Sequence, residues 1–383
     1  MSRPPDPCDN AQAVSFMKTL KVEEVYLAGF ETLAEVTARL LLPRMDTTSL
    51  NHHARIKSAY WRYREEGLLS GLLHLVLPPN RMGDTLWSAW LHHRVFGELP
   101  RLRRPRRFNE HIVRLKLSED GRSELRARIS DKELVKDFIR ERLGDGRTAQ
   151  TYAVLRSPEE VRSYDFPAAC AIKATHTSGD AILRCNGEPI DHQRIAEWFR
   201  INYYEVARES NYRNLEAKVI VEELLSEPGQ LAPPDYKVHC FAGIPAYILV
   251  ISGRFSQIRM DFFSPKWMLL AFRKPEAPLS NTPPDRPASL DAMLSAARTL
   301  SAGFSFLRVD FFQVGSRLVV GELTNLPAHG ISKFIPDEAD FLAGRLFDEP
   351  SLDAEILFGV RSGDPKPSPA ARAAPAGPTH PRP

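Results

Sequence analysis

Residues 303–330 read GFSFLRVDFFQVGSRLVVGELTNLPAHG. Phe306, Arg308, Asp310 and Phe312 alternate with Leu307, Val309 and Phe311, a Gly-Ser turn follows, and Leu318 to Leu323 is again apolar. The pattern predicts two short antiparallel strands joined by a tight hairpin. Arg308 and Asp310, two apart, project from one face of the first strand, and Glu322 near the end of the second can reach that face. Two readings fit these charges. In one, Arg308 and Asp310 form an ion pair on a half-exposed strand and Glu322 is solvated. In the other, a buried acid needs a neutralising partner, and two acids facing each other beside an Arg, with Asn325 just beyond, make a hard-cation site of the kind that holds Mg²⁺ against phosphates.

The same residues carry a resemblance. RVDFF…VGELTNLPAHG resembles the C-terminal signature of ATP-grasp ligases, above all the D-alanine–D-alanine ligase branch, where an R-x-D-F/Y strand and an E-x-N strand hold the magnesium ions. GELT followed by a P-x-x-G turn is similar to the TupA-like ATP-grasp family, named for teichuronopeptide biosynthesis. The chain departs from the pattern at one point: Thr324 stands where many ATP-grasp enzymes have Asn, and Asn325 comes one residue later. The third metal ligand is therefore Thr324 on strand register or Asn325 on chemistry.

The chain has 383 residues, enough for a sizeable core and for two or three domains, with 43% hydrophobic and 26% charged residues, as in ordinary soluble proteins. A net charge of +3 is too small to argue for nucleic acid, although the Arg-rich run 101–107 is a local exception. Cys8, Cys170, Cys185 and Cys240 show no metal-ligand spacing, which points to a reduced, cytosolic protein. The N-terminus lacks an apolar signal core, and no apolar run approaches the roughly 18 residues of a membrane span. LLSGLLHLVLPP is too short to cross a bilayer; it reads as a buried helix, with an interfacial helix in peripheral membrane contact as the alternative.

Taken in order, residues 1–55 form an extension with a helical pattern at 22–42, and residues 56–125 a helical region containing Trp61, Trp87 and Trp90. The arginines of 101–107 read as a solvated loop or a polyanion patch, and Phe108-Asn109-Glu110-His111-Ile112 resembles an F-N-E-K-I element of the TupA-like family, with His111 in place of Lys. Ser130-Asp131 caps a helix with Leu134, Phe138 and Ile139 as its apolar stripe. In that helix Lys132 and Lys136, one turn apart, read as solvated helix charges; they also resemble the D-K-x-x-x-K wording that opens the nucleotide-binding half of ATP-grasp proteins, where one of the lysines reaches a phosphate. Ala169 to Ile172 reads as a buried strand with Lys173 at its end, and the loop beyond contains His176, Ser178 and Gly179. A glycine lets backbone N–H groups approach an anion, so this segment resembles the ATP-grasp glycine loop over the triphosphate; by itself it is a plain turn. No second His or Cys stands at ligand spacing to His176. Residues 192–213 read as helical and aromatic, and 218–225 as a β-branched strand. The resemblance makes that strand the hinge, with Glu222 and Leu224 at the adenine edge; otherwise it is a core strand with solvated ends. Asp235 sits where ligases place the acid on the ribose hydroxyls, and Lys237 points the same way by alternation. Arg254 and Arg259 are surface charges or a clamp on phosphate or an acyl-phosphate oxygen. Residues 275–287 are a Pro-rich loop, 290–300 a helix, and the Pro/Ala-rich tail 364–383 is expected to be disordered.

The resemblance covers roughly residues 87–346 and implies an α+β, ATP-grasp fold: one subdomain at 126–225 carrying the glycine loop, and a second at 226–350 carrying the metal and acyl-phosphate site. It implies ATP and Mg²⁺ as cofactors and small-molecule or glycan-linked carboxylate and amine substrates, with no nucleic acid. In the implied reaction a carboxylate attacks the γ-phosphate and an amine displaces phosphate from the acyl-phosphate. Asp310 and Glu322 would hold the metals, Lys173 with Lys132 or Lys136 the phosphates, and Arg308, with Lys173 and Arg259, would serve the reacting oxyanions. A glycosyltransferase-like enzyme of polysaccharide synthesis, binding a metal–nucleotide-sugar at Asp310 and Glu322, and a non-catalytic scaffold using the Arg run are the rival classes. The sequence says nothing of the substrates' identity or of the oligomeric state.

Overall fold

The computed structural model describes residues 76–179, 181–226, 233–253 and 257–361. The expected helix at 22–42, most of the pattern around Trp61, Arg254 and the Pro/Ala-rich tail lie outside the described residues.

In chain order the elements are α1 (Arg81–Phe96), α2 (Phe108–Leu117), α3 (Glu124–Ser130), α4 (Leu134–Leu143), β1 (Thr151–Leu155), α5 (Pro158–Ser163), β2 (Cys170–Ala174), β3 (Ala181–Arg184), α6 (His192–Trp198), α7 (Tyr203–Ala207) and β4 (Val219–Glu222). They continue with β5 (Asp235–Phe241), β6 (Ile244–Ser252), β7 (Arg259–Phe263), α8 (Leu290–Ser301), β8 (Phe306–Val314), β9 (Arg317–Thr324), α9 (Glu338–Arg345) and α10 (Ala354–Phe358). The strands form two sheets, ordered β1-β4-β2-β3 and β7-β6-β5-β8-β9, and every pairing within them is antiparallel. Asp131 opens α4 as expected, its Oδ1 accepting from the N–H groups of Glu133 at 2.8 Å and Leu134 at 3.1 Å. Val135, Phe138 and Ile139 carry the buried stripe, whereas Leu134 is exposed.

The helix expected over 192–213 is broken into α6, α7 and a 3-10 turn at Ser210–Tyr212. Asn202 caps α7 by accepting from the Glu205 N–H at 3.3 Å, and Arg208, in the left-handed conformation at φ 55, ends it. Periodicity reported the apolar content of this segment but not its internal caps.

Strand alternation divides the five-stranded sheet into two unlike faces. Val238, Cys240, Val250, Leu307, Val309 and Phe311 pack on one side against α8 and α4. On the other face Phe241, Tyr247, Phe262 and Phe306 lie under α2 and α9. At the opposite end of that second face, Asp235, Lys237, Arg308 and Asp310 take the place of the aromatic residues. The four-stranded sheet has its own core, Ile172, Val219 and Val221 against Val161, Ile195 and Trp198 of α5 and α6.

A β-bulge settles where Glu322 points. Asp310 pairs with Glu322, but the next residue, Phe311, pairs with Val320, leaving Gly321 as the extra residue. Strict alternation from Leu318 and Val320, both in the core, would bury Glu322. The bulge reverses the parity, so Leu323 enters the core and Glu322 with Thr324 joins the face of Arg308 and Asp310. A Cβ at residue 321 would lie 2.5 Å from the half-buried Phe312 ring and would push it aside.

Candidate active site

Across β5, β8 and β9 the register sets Lys237, Asp310 and Glu322 in one row, and His239, Arg308 and Thr324 in the next. Asp310 is 1% exposed. Stranding its carboxylate there would be costly, and two cations prevent it. Arg308 grips it bidentately, Nε to Oδ1 at 2.7 Å and Nη2 to Oδ2 at 2.6 Å, and Lys237 donates to the same Oδ2. Burial alone would raise the Asp310 pKa, but Arg308 and Lys237 outweigh it and hold the group below the ordinary carboxylate range. The row extends at both ends: Lys237 also reaches Asp235 at 2.8 Å, and Arg308 Nη2 reaches Glu322 Oε1 at 3.1 Å and Thr324 Oγ1 at 2.9 Å. The Thr324 hydroxyl in turn donates to Glu322 at 2.6 Å. Of the two readings the hairpin allowed, this is not a lone surface pair, because Asp310 is buried and shared with Lys237, although Glu322 keeps its contact with solvent. It is a buried ladder of alternating charge open at the Glu322 end, where that side chain is 49% exposed.

Asn325 is placed elsewhere. One residue past Thr324, it faces the other way and is 3% exposed; its amide donates to the Arg126 carbonyl at 3.1 Å and Ser130 Oγ at 3.0 Å, while its oxygen accepts from Arg126 Nη1 at 2.9 Å. It clamps α3 to the end of β9, and its polar atoms face no carboxylate of the ladder. Arg259 is also separated. It pairs with Ser252 one step beyond the Ile251–Met260 pair that shares the face of Asp235, so alternation puts it on the opposite face of the sheet from Asp310, where it donates to Gln257 Oε1 at 2.9 Å. An acyl-phosphate role for Arg259 does not fit that register.

In the other sheet, Lys173 is inside β2 rather than after it, paired with Ala181 and Ile220. Its Nζ meets Glu222 Oε2 at 2.8 Å, and Lys136 Nζ takes the other oxygen, Oε1, at 2.5 Å. Glu222 is buried, and the two lysines hold its pKa down against the upward push of burial. Its carboxylate therefore neutralises the lysine pair instead of turning to an adenine edge; sequence reading missed this because the partners lie far apart in the chain. Leu224 lies half-buried just beyond β4. Lys132 sits under the loop after β2 and donates to the carbonyls of Ala174, at 2.8 Å, and Thr177. Burial drives its pKa down to about 8, with the charges of Glu322, Lys173 and Glu222 all acting on it. Arg317 of β9 also reaches Glu223 beyond β4 at 2.7 Å, and the Val320 N–H donates to the Arg147 carbonyl at 2.7 Å.

The loop itself divides into an anchored base and an open tip. His176 is 3% exposed, its Nε2 3.1 Å from the Trp198 carbonyl and its Nδ1 accepting from the Lys218 N–H at 3.4 Å, and burial lowers its pKa. It anchors the loop and is not presented to a ligand. Ser178 and Gly179 are exposed, and Gly179 at φ +112 adopts a backbone that L side chains rarely do.

The ends of the Arg run and the FNEHI element are tied into the fold, while Arg103 and Arg104 are exposed. Glu110 accepts from the N–H groups of Arg101, Arg106 and Arg107 at 2.9, 2.7 and 3.1 Å, and Arg107 bonds Glu98 at 3.1 Å and Asp337 at 2.8 Å. Asn109 exchanges hydrogen bonds with Ser332, 2.8 Å to its carbonyl and 2.9 Å from its N–H. His111 lies flat on Phe347 at 4.1 Å, and burial lowers its pKa to about 4.

Among the described residues no group of three or more His, Cys, Asp or Glu is arranged to hold a metal by itself. Two acids with a hydroxyl nevertheless fit Mg²⁺, which keeps several waters and takes one or two carboxylates together with substrate phosphates. Asp310 and Glu322, already within reach of one guanidinium nitrogen, are such a pair.

No curated protein matches the chain. Among solved structures it is similar to the ATP-grasp ligase PsnB complexed with a minimal precursor, at 14% identity over 62% of this chain and 66% of that one, with a TM-score of 0.34. It is also similar to D-alanine–D-alanine ligase from Bacillus anthracis complexed with ATP, at 13% identity over 60% and 62% of the two chains, TM-score 0.31. A third is phosphoribosylamine–glycine ligase from Thermotoga maritima, at 14% identity over 55% and 52%, TM-score 0.33. The chain spans less than two thirds of the length of each of these proteins. The model of the TupA-like ATP-grasp family matches residues 110–348, more than half of the chain and all of both sheets, and the chain therefore belongs to that family.

Proposed function

We propose that the chain is an ATP- and Mg²⁺-dependent carboxylate–amine ligase working through an acyl-phosphate, in the cytoplasm, on small-molecule or glycan-linked substrates of cell-surface polymer or natural-product synthesis. The observation that carries this is a pair of charge systems on two sheets that Arg317 and Glu223 tie together at 2.7 Å: the Lys136–Glu222–Lys173 bridge of one sheet and the Asp235–Lys237–Asp310–Arg308–Glu322 ladder of the other. Phosphoryl transfer needs cations on the phosphates and a preorganised surround for the charge that develops, not a nucleophilic side chain.

Lys173 and Lys136, now shared with Glu222, turn to the triphosphate while Glu222 limits their mutual repulsion. Lys132 holds the base of the loop whose Ser178 and Gly179 lie over the phosphates. Asp235 takes ribose hydroxyls, and Lys237 faces the transferred phosphoryl group. Asp310, Glu322 and Thr324 hold Mg²⁺, which when bound draws charge from the phosphate oxygens. Arg308, displaced in part from the carboxylates, stabilises the oxyanion of the acyl centre. The two subdomains, 126–225 and 226–350, close on the nucleotide between them.

Thermal melting in constant Mg²⁺ with ATP or with a UDP-sugar tests the reading. ATP alone should raise the melting temperature. Protection by the UDP-sugar alone would favour a glycosyltransferase, and protection by neither would favour a non-catalytic scaffold.

A further inference from the structure

The turn after β9 is built from left-handed residues. Ala328 (φ 47, ψ 35) and His329 (φ 56, ψ 13) precede Gly330 at φ 75. Side chains with a Cβ occupy this region rarely, and two in succession persist only where the surroundings over-determine them. Here Pro327 enters the turn, and Gly330 leaves it wedged so closely that a Cβ would lie 2.9 Å from the Asn109 carbonyl. The result is a fixed His329 whose Nδ1 lies 2.5 Å from Glu209 Oε1. The Glu209 side chain is only 8% exposed, whereas His329 is 32% exposed.

This dyad belongs to neither charge system described above, yet it adjoins one. His329 follows Thr324 by five residues. Asn211, two residues after Glu209, and Asn325, one residue after Thr324, both donate to Ser130 Oγ, at 2.7 and 3.0 Å, so the dyad and the open end of the ladder share a neighbourhood. An Nδ1–H donated to a buried carboxylate fixes the tautomer that leaves the lone pair on Nε2.

We propose that His329 is the general base for the attacking amine, with Glu209 as its positioning residue. The proposal rests on the ligase reading. As the amine lone pair forms the C–N bond at the acyl-phosphate carbon, the proton leaves nitrogen for His329 Nε2. The C–O bond to the phosphate then breaks, phosphate departs with the electron pair, and the imidazolium, stabilised by Glu209, releases its proton to water.

The test compares two nucleophiles on the full chain with Mg-ATP and a pool of amino acids and hexuronic acids. Hydroxylamine is unprotonated at neutral pH and reports acyl-phosphate formation as hydroxamate; ligation of the pool's own amines is read by mass spectrometry. His329→Asn keeps a residue that tolerates left-handed backbone, and Glu209→Gln keeps a hydrogen-bond acceptor without the charge. In His329→Asn, hydroxamate should stay within about threefold of wild type while amide formation falls about a hundredfold or more, with a smaller split of the same sign in Glu209→Gln. Equal losses with both nucleophiles, or undiminished amide formation, would overturn the assignment. If His329→Asn does not fold, the split in Glu209→Gln decides by the same criteria. A wild-type protein that makes no hydroxamate would instead remove the ligase reading, and this proposal with it.

Discussion

Replacing Lys173 with Met isolates a single positive charge with little collateral damage. The Lys173 side chain is 30% exposed and its partner Glu222 only 6%, so the ammonium sits at the boundary between core and cleft. Methionine preserves most of the apolar stem. Glu222 keeps Lys136 on its other oxygen at 2.5 Å, so no buried charge is left alone. The stability loss should therefore be about 1 kcal/mol or less, the range of a partly solvated pair. The effect on nucleotide should be far larger. A charge-assisted contact to phosphate contributes about 2–4 kcal/mol to binding and to the charge developing in transfer. At about 1.4 kcal/mol per tenfold, that is a loss of roughly thirtyfold to 700-fold in ATP affinity or turnover. Calorimetric titration of Mg-ATP into parent and variant, beside steady-state ADP release, measures both quantities. Affinity and turnover both within twofold of the parent would refute the phosphate assignment and reduce Lys173 to an ion-pair partner of Glu222.

Thr324→Ala and Asn325→Ala should separate two jobs. The first should weaken Mg²⁺ dependence with the melting temperature little changed; the second should lower stability by about 2 kcal/mol, because a buried amide holding Arg126 and Ser130 is lost. The opposite assignment of effects in magnesium titrations and melts would reverse the roles. Gly321→Ala forces a Cβ onto the Phe312 ring and should cost about 1–3 kcal/mol of stability while disturbing the Glu322 orientation; chemical denaturation at wild-type stability would count against the bulge. Nucleotide binding should weaken as pH rises above about 8. Lys132 has a free-state pKa of about 8, a bound triphosphate favours its charged form, and binding at higher pH must therefore take up a proton. Calorimetry at pH 8.5 in buffers of different ionisation enthalpy detects that uptake, and its absence would mean that Lys132 does not sense the phosphates. In the unliganded protein the same depressed pKa has the reverse consequence: its cost to stability is present below pH 8 and fades as pH rises from 8 towards the unfolded value of 10.5.

The sequence made the hairpin of β8 and β9 legible because period-two alternation and a Gly-Ser turn are local signals. The shared face of Arg308 and Asp310 followed from the same alternation, and α4 from its Asp131 cap. Glu322 was harder, since a bulge changes strand parity without a residue pattern of its own; the isolated Gly321 was the available clue. Partnerships such as Lys136 with Glu222, or Lys237 with Asp310, depend on strand order, which local spacing does not encode. For the same reason Arg259 and Asn325, right in residue type, could be assigned to a face only once the register was known. His176 shows the remaining limit: a polar residue in a glycine-containing loop reads alike whether its ring meets a ligand or the Trp198 carbonyl.

The central claim is that ATP is cleaved between its β and γ phosphates to activate a carboxylate. The most direct measurement incubates the full chain with Mg-ATP and a pool of amino acids and hexuronic acids, and resolves the nucleotide products. The account predicts ADP and inorganic phosphate in equal amounts, released only when an acid is present and reduced by about two orders of magnitude or more in Asp310→Asn. AMP and pyrophosphate as the products, or ADP release undiminished in Asp310→Asn, would contradict it.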